Sequence, residues 1–294
     1  MITNFELQHS IVTGASSQIG HFLIPHLKVI GTHITAVSRQ VRTCDEDIAW
    51  QYIDLTTTNM DEIPATTLFH IAPLSLIPTI ISSQPQLKRI IAFSSTSRFT
   101  KLHSPIKKER DIANELARAE NKMIELCEKK LIAWTLFRPT LIYGAGKDKN
   151  ITFIMDFIQR YGFFPIFGEG RGLRQPVHAE DLAIACTQVW HNENTYNKAY
   201  DLSGGETLTY QEMVSHIFEK MHKRPRIISI PLPVFKTMIN SINWIPRFKH
   251  LSSEMATRMN QDLCFDHTLA CQDFDYHPRK FRPFLESQTI FHLK

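Results

Sequence analysis

Residues 14–20 read Gly14-Ala15-Ser16-Ser17-Gln18-Ile19-Gly20, two glycines separated by small and polar residues. Glycine permits a sharp backbone turn and close approach to a phosphate. The N–H groups and positive dipole end of a helix that follows then hold the anion. The middle glycine of the usual fingerprint is replaced by Ser17, which is small and has a hydroxyl able to donate to a phosphate. A plain strand-to-helix turn is the competing reading. A second group is Ser94-Ser95-Thr96-Ser97, four hydroxyls directly after the apolar run Ile90-Ile91-Ala92-Phe93; a bare turn-forming loop would look the same. Two further side chains could transfer protons: His70, whose unperturbed pKa is about 6.5, and Tyr143. A core histidine and a packed aromatic are the alternatives.

These groups need elements to hold them. Ile11 and Val12 read as the end of a buried strand, and Phe22, Leu23 and Leu27 have helical spacing despite Pro25. Strand, glycine turn and helix at the start of a chain open a doubly wound dinucleotide fold. Residues 33–39 form a second strand. Where an NAD-binding fold usually places an acid for the ribose hydroxyls, this chain has Ser38-Arg39. A carboxylate repels a 2′-phosphate and arginine attracts one, so the expected cofactor is NADP over NAD; a solvated arginine at a strand end is the alternative. A third strand, 49–55, ends in Asp54-Leu55, placing a carboxylate for the adenine amino group and an apolar residue for the ring, or else a turn or helix cap. Strands follow at 67–72, 89–97 and 133–139. Between the last two, 109–130 is a long helical pattern with Ile112, Leu116, Ala119, Met123 and Leu126 on one side. Ligands of open α/β sheets lie beyond the carboxyl ends of the strands, where Thr96 and Tyr143 fall.

The expected fold class is α/β: a Rossmann-like, doubly wound parallel sheet with right-handed crossovers and a smaller C-terminal substrate lobe. Residues 1–148 form the nucleotide-binding domain, and 149–294 mostly the lobe, with about 176–203 returning to the first core. In the second half, 151–161 and 209–220 read as helices, the latter with capping-box spacing of Thr209 and Glu212. Another helix begins near His178 or Ala179, and 199–202 is a short strand.

Composition narrows the partners. The chain has 294 residues, 43% hydrophobic and 21% charged, which is globular rather than disordered. The net charge is +4, and the basic clusters Lys107-Lys108-Glu109-Arg110 and Lys223-Arg224-Pro225-Arg226 are not interleaved with aromatics, so no nucleic-acid partner is expected. Five cysteines without a C-x-x-C pair point to free thiols in a reducing, cytoplasmic setting. Met1 to His9 lacks the regions of a signal peptide, no run approaches a spanning helix, and the amphipathic stretch 234–245 suits a core-facing helix better than a membrane anchor. No metal site is expected.

Taken together, Thr13-Gly14-x5-Gly20, Asp54-Leu55, Phe93-Ser94-Ser95-Thr96-Ser97, Arg138-Pro139-Thr140-x-x-Tyr143-Gly144, Arg174-Gln175-Pro176-Val177-His178-x-x-Asp181-Leu182 and Phe274-Asp275-Tyr276-His277-Pro278 resemble the short-chain dehydrogenase/reductases, in their extended or atypical branch of nucleotide-sugar epimerases and dehydratases. The matches run in the family's order over nearly the whole chain. The resemblance implies that Gly14, Ser16, Ser17, Gln18, Ile19 and Gly20 surround the pyrophosphate, that Arg39, Asp54 and Leu55 meet the adenosine half, and that Ala72, Thr96 and Pro139 line the nicotinamide side. It implies Arg174, with Arg258 as a second arginine, for the diphosphate of a nucleotide-sugar substrate; surface or bridging salt bridges are the alternative. By analogy the long helix is where a homodimer would form.

One departure matters. The family moves its proton with a tyrosine followed four residues later by a lysine. No tyrosine occurs between Tyr52 and Tyr143, and the helix that should carry the pair reads Arg110 to Lys122 without one, Arg118 standing four before Lys122. Thr96 and Tyr143 are the candidate replacements. Two functions follow: an NADP-dependent epimerase, dehydratase or reductase with a displaced acid/base, or a catalytically degenerate NADP(H)-binding structural or regulatory protein.

Overall fold

The computed structural model describes residues 9–40, 48–148, 150–235 and 257–283. The apolar runs become strands and the intervening amphipathic patterns become helices. In chain order these are β1 (His9–Thr13), α1 (Gln18–Ile30), β2 (His33–Ser38), β3 (Ile48–Tyr52), β4 (Thr67–His70), α2 (Ile77–Ser83), β5 (Arg89–Phe93), α3 (Ser97–Thr100), α4 (Lys107–Lys129) and β6 (Ala133–Pro139). There follow β7 (Ile142–Tyr143), α5 (Ile151–Tyr161), β8 (Phe164–Phe167), β9 (Leu173–Arg174), β10 (Val177–His178), α6 (Ala179–Val189), β11 (Lys198–Leu202), β12 (Leu208–Thr209), α7 (Tyr210–Lys220), β13 (Ile227–Ile230) and α8 (Thr268–Phe274).

Seven parallel strands form one sheet in the order β11-β6-β5-β4-β1-β2-β3. This is the doubly wound order, reversing between β1 and β4, with β11 added at one edge. Ile11, Val12, Ile34, Leu68, Phe69, Ile90 and Ile91 are wholly buried, as strands covered on both faces require. No helix among the described residues is long and apolar enough to cross a membrane.

The chain divides into two compact units. The first comprises 1–140, 179–202 and 265–277, and contains the whole seven-stranded sheet. Sequence reading drew its boundary at 148, returned about 176–203, and did not include 265–277. That last piece carries α8, whose Phe274 is buried beside Phe137 and Tyr200; Asp275 ends it in the left-handed conformation. The second unit is built on Ile151, Ile154 and Ile158 of α5, Phe164, Ile166 and Phe167 of β8, and Met213, Val214, Ile217 and Phe218 of α7. The capping box at Thr209 is formed: Glu212 N–H donates to Thr209 Oγ1 at 3.1 Å and Thr209 N–H to Glu212 Oε2 at 2.7 Å. Of the amphipathic stretch 234–245, residues 236–245 lie outside the described residues; Phe235 is in this core.

Local differences from the sequence reading have physical causes. α1 starts at Gln18, four residues before its first apolar marker, because Ser17 caps it: Gly20 N–H donates to Ser17 Oγ at 3.1 Å. Pro25 is accommodated on the exposed side of α1, while Leu23, Ile24 and Leu27 are buried; each such burial contributes about 1.5–3 kcal/mol, enough together to offset the roughly 3 kcal/mol of an interior proline. β3 stops at Tyr52 and β5 at Phe93, because the polar residues beyond them turn.

At Gly20 a Cβ would lie 2.4 Å from the carbonyl oxygen of Ala15, itself fixed backbone. Gly20→Ala is therefore expected to lower the unfolding free energy by about 2–3 kcal/mol, whereas Ser17→Ala, which removes only the cap, should lower it by about 1 kcal/mol. Urea titrations of the two variants check the ranking.

Candidate dinucleotide site

The turn between β1 and α1 is a narrow crook. Gly14 takes φ +67°, open to glycine, and a Cβ there would stand 2.8 Å from the backbone nitrogen of Ala72. The crook is closed by Ser17 N–H donating to Gly14 O at 2.9 Å and Ala15 N–H donating to Val37 O at 3.2 Å. Beyond it, the N–H groups of Gln18 and Ile19 open a helix of 13 residues with no acid in its first turn. The Ile19 side chain goes into the core, so only its backbone faces this end. Gln18 Oε1 is buried and has no hydrogen-bond partner among the described residues. The positive dipole end, the open amides and the lack of an acid in the first turn fit a pyrophosphate.

Beneath the crook, Thr13 Oγ1 donates to His70 Nδ1 at 2.8 Å, and His70 Nε2–H donates to the Pro73 carbonyl at 3.0 Å. This tautomer clamps the ends of β1 and β4 together and fixes where Ala72 follows. Burial pushes the pKa of His70 down to about 4, opposed by its bond to Pro73. His70 is thus a neutral structural residue at physiological pH.

On the adenosine side, Arg39 is exposed immediately after β2. Asp54 begins the turn after β3: its Oδ1 accepts from Thr56 N–H at 3.0 Å and Thr56 Oγ1 at 2.7 Å, and its carbonyl accepts from Thr57 and Thr58. The bonds from Thr56 hold its carboxyl below the usual range, and the charge of Arg39 adds to this. The two residues therefore share one locality at the ends of adjacent strands. Leu55 packs on the core of the first unit.

At the other half of the sheet, Thr96 Oγ1 and Thr96 N–H both donate to the Pro139 carbonyl, at 3.1 and 3.2 Å. The bond ties the ends of β5 and β6 and commits the hydroxyl hydrogen of Thr96. Behind them lies a cluster that sequence reading missed. Glu120 of α4 is wholly buried and accepts from Ser94 Oγ at 2.5 Å, from Arg138 Nε and Nη2 at 3.1 and 2.8 Å, and from Arg98. Arg138 also lies 3.7 Å from Asp201, whose carboxyl is pushed up by burial, an effect partly offset by Arg138. The signal was present: Glu120 stands four residues after Leu116 and three before Met123, on the stripe read as apolar.

Leu116 and Ile112 precede Glu120 by one and two turns on the same side of the helix, and both are partly buried. The face thus presents hydrocarbon at an i, i+4 pair. Lys122 is exposed and pairs with Glu125 at 3.0 Å, and Arg118 is exposed, so neither stands on the Glu120 face.

The remaining predicted residues belong to the second unit. Tyr143 is buried in its core, edge-to-face with His178 and Phe281 at 5.0 and 4.9 Å, and its hydroxyl accepts Arg282 N–H at 3.1 Å. Arg174 is also buried. Its guanidinium donates to the carbonyls of Leu173 and Gln261, each at 2.7 Å, and of Arg258, and lies over the Tyr210 ring. Burial lowers its pKa and that of the half-buried Arg258. The structure brings Arg174 and Arg258 together, but as a guanidinium holding the backbone of the other.

No family model matches the chain. Over 158 residues, half of it, the chain is 26% identical to the mitochondrial NADH dehydrogenase (ubiquinone) 1 alpha subcomplex subunit 9 of Arabidopsis thaliana, a stretch covering 39% of that protein. Over 137 residues, 46% of the chain, it is 25% identical to the chloroplast stem-loop binding protein of 41 kDa b of the same plant, covering 36% of it. The chain therefore spans about two fifths or less of the length of these curated relatives. Among solved structures, it superposes on the UDP-glucuronic acid 4-epimerase from Bacillus cereus in complex with NAD with a TM-score of 0.69, at 13% identity and 93% coverage of each chain. For the UDP-glucose 4-epimerase from Thermotoga maritima with UDP-glucose the TM-score is 0.67, at 14% identity, covering 92% of this chain and 94% of that one. MoeE5 in complex with UDP-glucuronic acid and NAD gives 0.67 at 17% identity, covering 93% and 94%. The fold is thus that of the NAD-dependent epimerases and dehydratases, and the resemblance to extended short-chain dehydrogenase/reductases read from the motifs stands at the level of fold.

In the unfolded chain His70 takes up its proton near pH 6.5; in the folded one it does so near 4. Between these values the unfolded state binds more protons, so the contribution of His70 is complete above pH 6.5 and is lost as the pH falls through 4. The loss amounts to about 3 kcal/mol for this group. In urea unfolding, the stability gap between the natural chain and His70→Gln should shrink from pH 7 to pH 4.5; a gap that does not change with pH contradicts the assignment.

Proposed function

We propose that this chain holds a nicotinamide dinucleotide, NADP(H) in preference to NAD(H), without turning it over, as a structural or regulatory ligand. The observation that carries the reading is the face of α4. The helix that should carry a phenol and an ammonium four residues apart has no tyrosine from Arg110 to Lys122; Leu116 and Ile112, one and two turns before Glu120, are hydrocarbon, and Glu120 itself is bonded to Arg98, Arg138 and Ser94. Proton transfer requires a titratable group within hydrogen-bond reach of the reacting oxygen. Tyr143, accepting from the Arg282 backbone inside an apolar core, is a packing residue in this reading.

What supports binding is the crook: Gly14, Ser16, Ser17, Gln18, Ile19 and Gly20 would surround the pyrophosphate, Arg39 and Asp54 the adenosine half, and Ala72, Thr96 and Pro139 the nicotinamide side. When bound, the nicotinamide supplies a hydride donor or acceptor. The solved structures named above contain NAD, which supports the ligand class. The preference for the phosphorylated form rests on Arg39, since a guanidinium pairs with a phosphate and no acid stands at the end of β2. The buried thiols of Cys127 and Cys186, both pushed up by burial, suit a reducing compartment such as the cytoplasm.

The second reading is an epimerase, dehydratase or reductase acting on a nucleotide-sugar. It is favoured by a fold shared over nine tenths of the chain with enzymes solved with UDP-sugars, and by Thr96 at the end of β5. Against it, the Arg174 guanidinium is occupied by three backbone carbonyls rather than open to a diphosphate.

Fluorescence titration should show saturable NADPH binding, and UDP- and dTDP-sugars incubated with NADPH or NADP⁺ should be recovered unchanged by chromatography, with absorbance at 340 nm constant. Turnover of any sugar overturns the proposal in favour of the enzyme. Arg39→Glu should weaken NADPH binding by about tenfold or more, the scale of one charge-assisted hydrogen bond, and leave NADH binding nearly unchanged.

A further inference from the structure

Glu120 gathers three separate pieces of chain in the first unit. Its carboxylate accepts from Ser94 in the turn after β5, from Arg98 in α3 and from Arg138 in β6. These three residues bracket the Thr96–Pro139 pair. Ser94 and Arg98 stand two residues before and two after Thr96, and Arg138 directly precedes Pro139. The Thr96 hydroxyl and amide both donate to the Pro139 carbonyl. One buried carboxylate therefore holds both flanks of the Thr96 turn and the strand to which that turn is bonded.

The arrangement is stiff for identifiable reasons. Glu120 Oε1 takes Ser94 Oγ and Arg138 Nε, and Oε2 takes Arg98 Nη1 together with Arg138 Nε and Nη2. Moving any one partner uncovers a charge that burial makes costly. The Arg98 and Arg138 guanidiniums lie 5.6 and 5.3 Å from the centre of the Phe99 ring, which limits their freedom further. Ser94 N–H also donates to the Phe137 carbonyl at 2.7 Å, anchoring the turn to β6 through its backbone. A buried ion cluster is weak ground for stability, because apolar residues of similar volume commonly serve as well or better. Its use here is in where it holds its partners.

We infer that Glu120 is a positioning residue for the nicotinamide half of the dinucleotide. The inference rests on the cofactor reading proposed above, in which Thr96 and Pro139 line the nicotinamide side, and goes beyond it by assigning the group that holds them in place. Glu120 acts through Ser94, Arg98 and Arg138, since its two oxygens are already engaged by them. Arg39 and Asp54 follow β2 and β3, at the other half of the sheet. Loosening the Glu120 node therefore acts on one end of the dinucleotide and spares the adenosine end. Side chains that support a site in this way decide its precision without touching the ligand.

The test uses the full chain and two ligands, NADPH and 2′-phospho-ADP-ribose, which has the adenosine half and the diphosphate but no nicotinamide. By titration calorimetry the natural chain should bind NADPH more tightly than the analogue. Glu120→Gln keeps the shape of the side chain and removes its charge. In it NADPH should weaken about tenfold or more, toward the affinity of the analogue, while the analogue stays within about twofold; the emission of bound NADPH should move toward that of the free nucleotide. Arg98→Met loosens the same node but leaves Glu120 paired with Arg138, and should give the same selective loss even where Glu120→Gln fails to fold. Arg89→Lys is the control. Arg89 is also buried, and it holds the Val189 and Trp190 carbonyls from the start of β5, the end away from Thr96. It should lower the unfolding midpoint and leave the ratio of the two affinities unchanged. The inference is overturned if the node variants weaken both ligands equally or neither, if Arg89→Lys changes the ratio as much as they do, or if the natural chain holds NADPH no better than the analogue. A natural chain that binds neither ligand overturns the cofactor reading itself, and this inference with it.

Discussion

Backbone touches backbone at the β1–α1 turn, and the first unit is arranged around that contact. The chain passes so close to the end of β4 and to its own residue 15 that a single carbon cannot be added at Gly14 or Gly20. Such an approach removes side chains from the mouth of α1 and leaves amides there. Amides at a positive helix end favour an anion, and the first turn of α1 holds no acid of its own. The Thr13–His70 bond serves the same contact from below, by holding β1 and β4 level.

A second constraint acts at the opposite half of the sheet. A carboxylate with no exposed atom must be matched by donors, because an uncompensated buried charge costs several kcal/mol. Glu120 meets this with two guanidiniums and a hydroxyl drawn from β6, α3 and the turn after β5. Those bonds fix the rotation of α4 about its axis. Once the rotation is fixed, the residues one and two turns earlier share the side of the helix that carries Glu120, and in this chain they are leucine and isoleucine.

The parts legible in the sequence were those whose signal is local. β6 and α5 fall where their periodicity put them, and Thr209 with Glu212 forms the capping box that its spacing announced. Strand ends were read too long at Asp54 and Thr96, because an apolar run does not say where hydrogen bonding to the neighbour stops; the side chains that turn the chain are polar and lie inside the stretch. The glycine turn at residues 14–20 was legible because backbone makes it, and the surroundings of Arg174 were not, because distant chain completes them. That the Arg174 guanidinium would be taken by carbonyls of residues 258 and 261 depends on a contact between segments more than eighty residues apart. Nothing in the neighbourhood of Arg174 announces it. Glu120 is the intermediate case, a charge on an apolar stripe whose meaning appears only when two arginines arrive from other elements.

Binding and catalysis make unequal demands on such a fold, and the difference explains how one can persist without the other. Holding a pyrophosphate needs a turn, a helix end and small residues, all set by main-chain geometry that the core enforces. Moving a proton needs one particular side chain placed within hydrogen-bond reach of one atom. Replacing that side chain by an aliphatic one of similar reach leaves the helix, its buried carboxylate and the sheet unchanged, and even favours the helix, since leucine is a better helix former than most and pays nothing for desolvation. The α4 face described here has that composition. In the reading proposed above it serves the packing of the first unit without serving proton transfer, so stability and ligand binding place no pressure on it to carry a phenol.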